Sequence, residues 1–347
     1  MHSPRPARRA LVVAPLTLTE ALLSQPLIAL LRRLDPGGRL DVLASQALAP
    51  LYRAMPEIDD VVAGGLDAAA PDLPRHWRLS RRLSERHYDD AYVLAQARTA
   101  GLAPWLARIP NRVGLADRAS AGAPRRSATP GLSYPSSLTY ARLAFDAQAA
   151  LPPGIPTPQI GRPPSLDAAT LRLLGLEPKT QVFLFCATSD LGPASQWPAR
   201  HFVALSASIH ASWPDAMVAL VGDRSGRETA AHVSLMSGGR IRNLAGRLDL
   251  SQTMALMQHA SAIVGGESQH MLLAAALRRP HVTLYGAGDP RAERLASARR
   301  KVLWLKPACS PCLDAHCRFG HAECLSGITP LTVHAALRQV LEFSACL

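Results

Sequence analysis

A carboxylate and a hydroxyl stand side by side at Glu267 and Ser268, directly after an apolar run that ends in two glycines. A segment rich in Leu and Ala follows, and a second apolar run closes on Gly286. This succession predicts a βαβ unit whose first strand delivers both side chains to a helix N-terminus. Ligands of open parallel sheets bind at the carboxyl ends of the strands, and helix N-termini favour anions, so the pattern indicates a phosphate-bearing ligand. An ordinary crossover in which Ser268 only caps the helix fits the same residues.

Four of the six cysteines form a second cluster of chemically reactive side chains. They and the histidines among them are Cys309, Cys312, Cys317, Cys324, His316 and His321. Structural disulfides are disfavoured in a chain expected to be cytoplasmic, so clustered thiols raise the alternative of a zinc site. The spacing lacks the regular pair of Cys-x2-Cys knuckles found in many structural zinc sites, and zinc remains one alternative.

Arginine gives the chain a net charge of +12, with very little lysine. This balance suits phosphorylated substrates, anionic lipid head groups or nucleic acid, although a bare compositional bias toward arginine also explains it. The sequence has no zinc finger, RNA-binding signature or basic stripe with regularly spaced aromatics, which makes nucleic acid the weaker choice. It also lacks GxGxxG after either first strand, a Walker loop, a GxSxG elbow and HExxH, so a nicotinamide-dependent redox enzyme is disfavoured.

The length of the chain and its alternation of strand-like and helix-like segments indicate two domains. At 347 residues it exceeds one ordinary core. Strand-like and helix-like segments alternate in both halves, which is typical of parallel sheets covered by helices. Residues 151–165 are rich in proline and predict an interdomain linker. We therefore predict an α/β protein with an N-terminal domain at 1–155, a C-terminal domain at 156–330, a terminal helix at 331–347 and a ligand cleft between the domains.

The N-terminus, MHSPRPARRALVVAPL, bears on the location of the protein. It has a basic start, but its apolar run is too short for the core of a signal peptide. No window of the sequence reaches the length of an uninterrupted membrane span. These features predict a cytoplasmic protein whose first apolar run is a β-strand.

Three sequence blocks, taken together and in order, resemble one family of enzymes. They are LVVAPLTLTEALLSQPL near the N-terminus, CATSDLGPASQWPARHF in the middle, and NLAG followed by residues 263–290. They resemble the opening strand and helix, the phosphate-side loop and the donor block of the bacterial ADP-heptose:lipopolysaccharide heptosyltransferases, glycosyltransferase family 9. The Cys-rich tail is similar to that of the heptosyltransferase II branch, and the resemblance runs over residues 9–330.

The resemblance implies both a fold and a reaction. Members have the GT-B arrangement, in which two Rossmann-like domains face each other across a cleft. They move heptose from ADP-L-glycero-D-manno-heptose to the lipopolysaccharide inner core, with inversion at the anomeric carbon and without a cofactor or catalytic metal. The implied partners are the ADP-heptose donor and a phosphorylated inner-core acceptor, and nucleic acid is not among them. The implied location is cytoplasmic and peripheral to the inner membrane, where basic charge has a use.

On the acceptor side, the family's catalytic base is an Asp that follows Gly at the start of the first helix. Thr19 and Glu20 stand there in this chain. Glu20 supplies the same chemistry with a longer side chain, because it accepts the proton of the acceptor hydroxyl while the sugar gains oxocarbenium-like character. We therefore predict that Glu20 is catalytic and that Thr19 and Arg98 bind the acceptor. A helix-start acid favoured by the helix dipole is the alternative for Glu20.

On the donor side, the resemblance implies a set of polar contacts with several departures from the family pattern. The predicted donor-binding residues are Thr188, Ser189, Ser195, Glu267, Ser268, Gln269 and Met271. Ser195 stands where a Lys usually precedes Trp-Pro, and losing that cation removes a charge-assisted bond of about 1.5–3 kcal/mol. Gln269 replaces a Gly beside which the backbone approaches the diphosphate, and Leu272 replaces a hydrogen-bonding His.

These departures leave two hypotheses open beside an active transferase. In the first hypothesis, the chain is a degenerate family member that binds nucleotide sugar or core-assembly partners without efficient catalysis. Alternatively, it is a metal-dependent module built on the Cys cluster.

Overall fold

The computed structural model divides the chain into two compact units, Met1–Arg162 and Pro163–Leu347. The boundary falls inside the proline-rich segment, a few residues after the expected position, and the terminal helix belongs to the second unit. The structure describes residues 7–64, 73–96, 99–114, 126–127, 136–145, 150–177, 180–291 and 299–345. No helix in these ranges is both long and apolar enough to cross a bilayer.

The first unit is a parallel sheet with helices between its strands. Its strands are β1 (Arg9–Val13), β2 (Arg39–Ala44), β3 (Asp60–Ala63), β4 (Asp90–Val93), β5 (Asn111–Gly114) and β6 (Arg126–Ser127). Its helices are α1 (Leu18–Leu34), α2 (Ala49–Arg53), α3 (Leu73–Ser84), α4 (Leu102–Leu106) and α5 (Ser137–Arg142). The strand order is β3-β2-β1-β4-β5-β6, and all pairings are parallel.

The central strand and first helix of this unit follow directly from their residues. In β1, Leu11, Val12 and Val13 are fully buried, as expected for an interior strand covered on both faces. The helix α1 begins after Thr17, whose Oγ1 accepts the backbone N–H of Glu20 at 3.3 Å. This N-cap satisfies one of the free N–H groups of the first turn and fixes where the helix starts.

The second unit repeats the same plan. Its strands are β7 (Val182–Cys186), β8 (Met217–Leu220), β9 (Arg242–Asn243), β10 (Ala262–Gly266), β11 (His281–Tyr285) and β12 (Arg300–Trp304). Its helices are α6 (Ala168–Leu173), α7 (Ala199–Ser212), α8 (Arg227–Met236), α9 (Leu250–His259), α10 (Gln269–Ala276), α11 (Glu323–Ser326) and α12 (Pro330–Ala345). The strand order is β12-β11-β10-β7-β8-β9, again with parallel pairings.

Both sheets have the same order when strands are counted within each unit, namely 3-2-1-4-5-6. This is the order of Rossmann sheets, and it confirms the predicted pair of parallel-sheet α/β units. The direction of strand succession reverses between β1 and β4 in the first unit and between β7 and β10 in the second. Loops that leave these strands diverge and open a crevice at the carboxyl edge, where ligands of such sheets bind.

Candidate functional site

The reversal point of the first sheet holds Glu20. This partly buried residue lies in the first turn of α1, immediately beyond β1. Its Oε2 accepts a hydrogen bond of 2.8 Å from Oγ1 of Thr17, and its Oε1 accepts one of 3.5 Å from Nε2 of Gln96, which follows β4. Donors from the loops on both sides of the crevice therefore orient the carboxylate.

Two tyrosines that the sequence did not single out lie close to this carboxylate. Tyr52 and Tyr140 are fully buried, and the hydroxyl of Tyr140 has no hydrogen-bond partner among the described residues. Burial raises the pKa of both phenols, and the negative charge of Glu20 raises each pKa further. Both phenols are therefore neutral at physiological pH and remain hydrogen-bond donors beside Glu20.

The two predicted acceptor-binding residues have different outcomes. Thr19 lies next to Glu20 in the same helical turn and is partly buried. Arg98 lies outside the described residues. The structure thus places Thr19 with the predicted base, and the acceptor-binding roles of both residues stay predictions.

The reversal point of the second sheet brings several predicted donor residues together. Ser189, in the loop after β7, donates a hydrogen bond of 2.9 Å from Oγ to the carbonyl oxygen of Glu267, directly after β10. The backbone N–H of Asp190 donates to the same oxygen at 3.0 Å. The loops after the two strands are thereby tied to each other at the N-terminus of α10.

The N-terminus of α10 is occupied by carboxylates of the chain itself. Oδ2 of Asp190 accepts the backbone N–H of Gln269 at 2.8 Å, and Oδ2 of Asp223 accepts Nε2 of the same residue at 3.0 Å. A helix N-terminus attracts any anion, so the Asp190 carboxylate lies where a diphosphate was expected, and Asp223 contacts the side chain of the first helical residue. Sequence reasoning missed both aspartates, although each closely follows the end of a buried strand, which is the available signal.

Asp223 is further fixed within its own loop. Burial by itself raises its pKa, but hydrogen bonds from Oγ of Ser225 at 2.6 Å and the N–H of Gly226 at 3.1 Å lower the pKa overall. Burial lowers the pKa of the neighbouring His270, while the charge of Asp223 opposes that shift. This end of α10 therefore carries negative charge, and Arg224, which follows Asp223 in sequence, is exposed.

Glu267 stabilises the loop that follows β11 through hydrogen bonds to its backbone. Its Oε1 accepts the backbone N–H groups of Gly286 at 2.8 Å and Gly288 at 3.2 Å, and the residue is 8% exposed. A Cβ on Gly288 would lie only 1.7 Å from Oε2, so a side chain at this position requires the Glu267 carboxylate to move. The geometry gives Glu267 a clear structural task, while its contact with the sugar of the donor stays a prediction.

The remaining predicted donor residues differ in exposure. Ser195 is fully buried with an unpaired hydroxyl, and Met271 is 3% exposed. Thr188 is partly buried, and its side chain contacts the Gly226 position. Ser268 occupies the N-cap position of α10, as the helix-cap interpretation predicts, but its hydroxyl makes no capping hydrogen bond.

The Cys cluster forms a separate feature of the second unit. Cys309, Cys312, Cys317 and Cys324 are free thiols that line one small cavity together with His321. Within the described ranges, no group of three or more His, Cys, Asp or Glu side chains is arranged to hold a metal ion.

Comparisons with known proteins agree with this architecture. A family model described as glycosyltransferase family 9 (heptosyltransferase) matches residues 76–323. The chain is 28% identical to lipopolysaccharide heptosyltransferase 2 of Escherichia coli K12, over 96% of this chain and 98% of that protein. It is also 28% identical to lipooligosaccharide heptosyltransferase 2 of Haemophilus influenzae, over 81% and 84% of the two chains.

Solved structures give the same result at the level of the fold. E. coli ADP-heptose lipopolysaccharide heptosyltransferase II superposes with a TM-score of 0.78 at 25% identity, over 97% of this chain and 99% of that chain. E. coli heptosyltransferase WaaC, solved with ADP, superposes with a TM-score of 0.66 at 16% identity, over 96% and 99%. These likenesses confirm the predicted GT-B fold class.

Proposed function

The chain belongs to glycosyltransferase family 9, and on that premise we propose that it transfers heptose from ADP-L-glycero-D-manno-heptose to the lipopolysaccharide inner core. The observation that carries the proposal is the match over nearly the whole chain to proteins named lipopolysaccharide heptosyltransferase 2. Their names are those of enzymes, and no observation on this chain favours a binding protein without catalysis.

Glu20 is the general base of the proposed reaction. It accepts the proton of an acceptor hydroxyl, whose oxygen forms a bond to the anomeric carbon while the bond from that carbon to the diphosphate breaks. ADP then leaves from the opposite face, and the configuration inverts. The hydrogen bonds from Thr17 and Gln96 support this role, because they fix the carboxylate at the crevice of the first sheet.

The donor binds to the second unit, and its diphosphate lies against the loops after β7 and β10. The hydroxyl of Thr188 has no hydrogen-bond partner among the described residues and is available to a phosphate oxygen. The hydroxyl of Ser189 already donates to the backbone, so a phosphate contact requires it to rotate. The negative charges of Asp190 and Asp223 oppose diphosphate binding, and the exposed Arg224, next to Asp223 in sequence, is the proposed cation for the diphosphate.

The acceptor is a phosphorylated inner-core sugar on a lipid anchor, and the protein acts at the cytoplasmic face of the inner membrane as a peripheral protein. The net charge of +12 supports this part of the proposal. Anionic lipid head groups attract basic proteins to the cytoplasmic leaflet and raise the local concentration of enzyme near its acceptor.

A transfer assay with purified protein tests the proposed function. ADP-heptose and a truncated inner-core acceptor should yield ADP together with an acceptor whose mass has increased by one heptosyl residue. Omission of either substrate is the control for spontaneous hydrolysis. Tight binding of ADP without any transfer would reject the catalytic proposal in favour of a non-catalytic binding protein.

A further inference from the structure

The face of the first unit formed by α3 and α4 combines exposed aromatic and basic side chains. The two helices pack against each other, and Leu79, Leu83 and Ala103 from them enter one shared core cluster. The side chains of Trp77 on α3 and Trp105 on α4 are nevertheless 61% and 50% exposed. Large aromatic side chains left in water on adjacent elements indicate a surface that contacts another apolar phase.

The charges on this face have a single sign. The segments 73–84 and 99–114 contain no Asp or Glu, and their arginines are Arg75, Arg78, Arg81, Arg82, Arg108 and Arg112. Within the described part of the chain, Arg81, Arg82 and Arg108 have no ion-pair partner. The nearest carboxylates in sequence are Asp72 and Glu85, one position before and one position beyond α3, and Asp72 lies outside the described residues.

The helical period places these side chains in rows. On α3, Trp77 and Arg81 are one turn apart, and so are Arg78 and Arg82, so the two pairs form neighbouring rows on the exposed side. The opposite side of α3 carries the buried Leu79 and Leu83. An amphipathic helix with arginines and an exposed tryptophan opposite its core-facing side is suited to the interface of a membrane, where indole rings lie among head groups and arginines meet lipid phosphates.

We propose that the α3–α4 face, defined by Trp77, Trp105, Arg78, Arg81, Arg82 and Arg108, docks the protein on an anionic lipid bilayer. The charge complementarity and the exposed tryptophans on two helices that pack together favour a lipid surface over a purely ionic partner. The proposal rests on the proposed function, since a membrane-anchored acceptor gives the docking a purpose. The surface itself is defined without reference to the catalytic residues.

Vesicle sedimentation with the full-length protein tests the docking face. Wild-type protein is expected to bind vesicles of phosphatidylethanolamine and phosphatidylglycerol and to leave vesicles of phosphatidylcholine unbound. The variant Arg78→Glu/Arg82→Glu should lower the partition coefficient at least about thirty-fold, because each basic residue near an anionic surface contributes roughly a factor of five. Trp77→Ala/Trp105→Ala should also weaken vesicle binding, by about tenfold. The urea concentration at the midpoint of its unfolding should equal that of the wild type.

Matched variants on the second unit serve as controls. Arg240→Glu/Arg338→Glu makes the same change of charge at exposed positions, and Leu235→Ala/Met236→Ala removes exposed apolar groups from α8. Both controls should bind vesicles like the wild type. Transfer to a short acceptor without a lipid anchor should be the same in all four variants, so a failure of docking is distinguished from a failure of catalysis.

Three results would overturn the proposal. The first is wild-type protein that does not bind anionic vesicles, or α3–α4 variants that bind them normally. The second is binding that depends on the arginines but is indifferent to the tryptophans, which would identify a face for a soluble polyanion. The third is a wild-type protein that does not bind vesicles but forms a dimer, together with a Trp77→Ala/Trp105→Ala variant that is monomeric. This result would identify the face as a contact with a second copy of the chain.

Discussion

At the scale of single residues, the chemistry proposed for this protein depends on how one carboxylate is oriented. Glu20 carries an extra methylene compared with the aspartate implied by the family pattern, and a longer side chain has more rotamers to restrict. The hydrogen bonds from Thr17 and Gln96 supply that restriction. The substitution of Asp by Glu is therefore accompanied by neighbours that hold the longer side chain in place.

The role of Glu20 as general base predicts a specific kinetic result. Glu20→Gln keeps the length of the side chain and one of its two hydrogen-bond-accepting oxygens but cannot act as a base, so kcat should fall by about 10²- to 10⁴-fold with little change in the KM for ADP-heptose. The exposed Glu85, changed to Gln, is the matched control and should retain wild-type kinetics. Equal kcat values for Glu20→Gln and wild type, measured by ADP release, would remove Glu20 from the reaction.

A second residue-scale prediction concerns the carboxylate at the N-terminus of α10. Asp190→Asn keeps an oxygen that accepts the N–H of Gln269 but removes a negative charge beside the proposed diphosphate site. ADP should then bind about two- to fivefold more tightly at low ionic strength, as measured by calorimetry. The exposed Asp215, changed to Asn, should leave the affinity unchanged. Weaker binding by Asp190→Asn would mean that the carboxylate itself contacts the donor.

These residues show what could be predicted from sequence and what could not. Glu20 was selected from its position in a motif; the structure places it at the reversal point of the first sheet, and its catalytic role stays a prediction. Asp190 and Asp223 were missed because their importance depends on the approach of three loops that are distant in sequence. The contact of Glu267 with two backbone N–H groups was missed for the same reason, since a carboxylate after a strand also fits a ligand contact.

At the scale of elements, the loop after β11 is held by the Glu267 carboxylate, which lies where a side chain at Gly288 would be. Gly288→Ala should force the Glu267 carboxylate away from the N–H groups of Gly286 and residue 288. We expect a loss of about 1–3 kcal/mol in the free energy of unfolding, measured with urea, because buried donors lose their acceptor. Gly37→Ala, where a Cβ has open space, is the control. Unchanged stability of Gly288→Ala would show that the carboxylate relocates at no cost.

The first residue of β11 makes the stability of the second unit dependent on pH. His281 is fully buried, and burial lowers its pKa to about 4. The unfolded chain takes up a proton at this histidine below about pH 6.5, whereas the folded chain does so only near pH 4. Stability should therefore fall as the pH drops from about 6.5 to about 4, by up to about 3 kcal/mol from this residue.

The variant His281→Gln should flatten the pH dependence of stability over that range. Its free energy of unfolding should change less between neutral pH and pH 4 than that of the wild type, whatever its absolute stability. His87→Gln, at an exposed position, should keep the wild-type slope. Identical slopes for His281→Gln and wild type would show that the burial of this imidazole is not coupled to acid unfolding.

At the scale of the whole molecule, the alternation of strands and helices was sufficient to predict two parallel-sheet units. It was not sufficient to predict the strand orders, which depend on the direction of each crossover. The repeated order 3-2-1-4-5-6 matters most for function, because it creates one reversal point in each sheet. Glu20 lies at the first of these points, and the loops that carry Ser189 and Glu267 meet at the second. The topology thus explains why residues far apart in sequence gather at these edges.

A crystal structure with bound ADP-heptose or a non-reactive analogue tests this arrangement most directly. We expect the diphosphate in the second unit, against the loops after β7 and β10, with a phosphate oxygen within hydrogen-bond distance of Thr188 Oγ1. A diphosphate bound in the first unit, or in the second unit away from both loops, would contradict the assignment of the donor site to the reversal point of the second sheet.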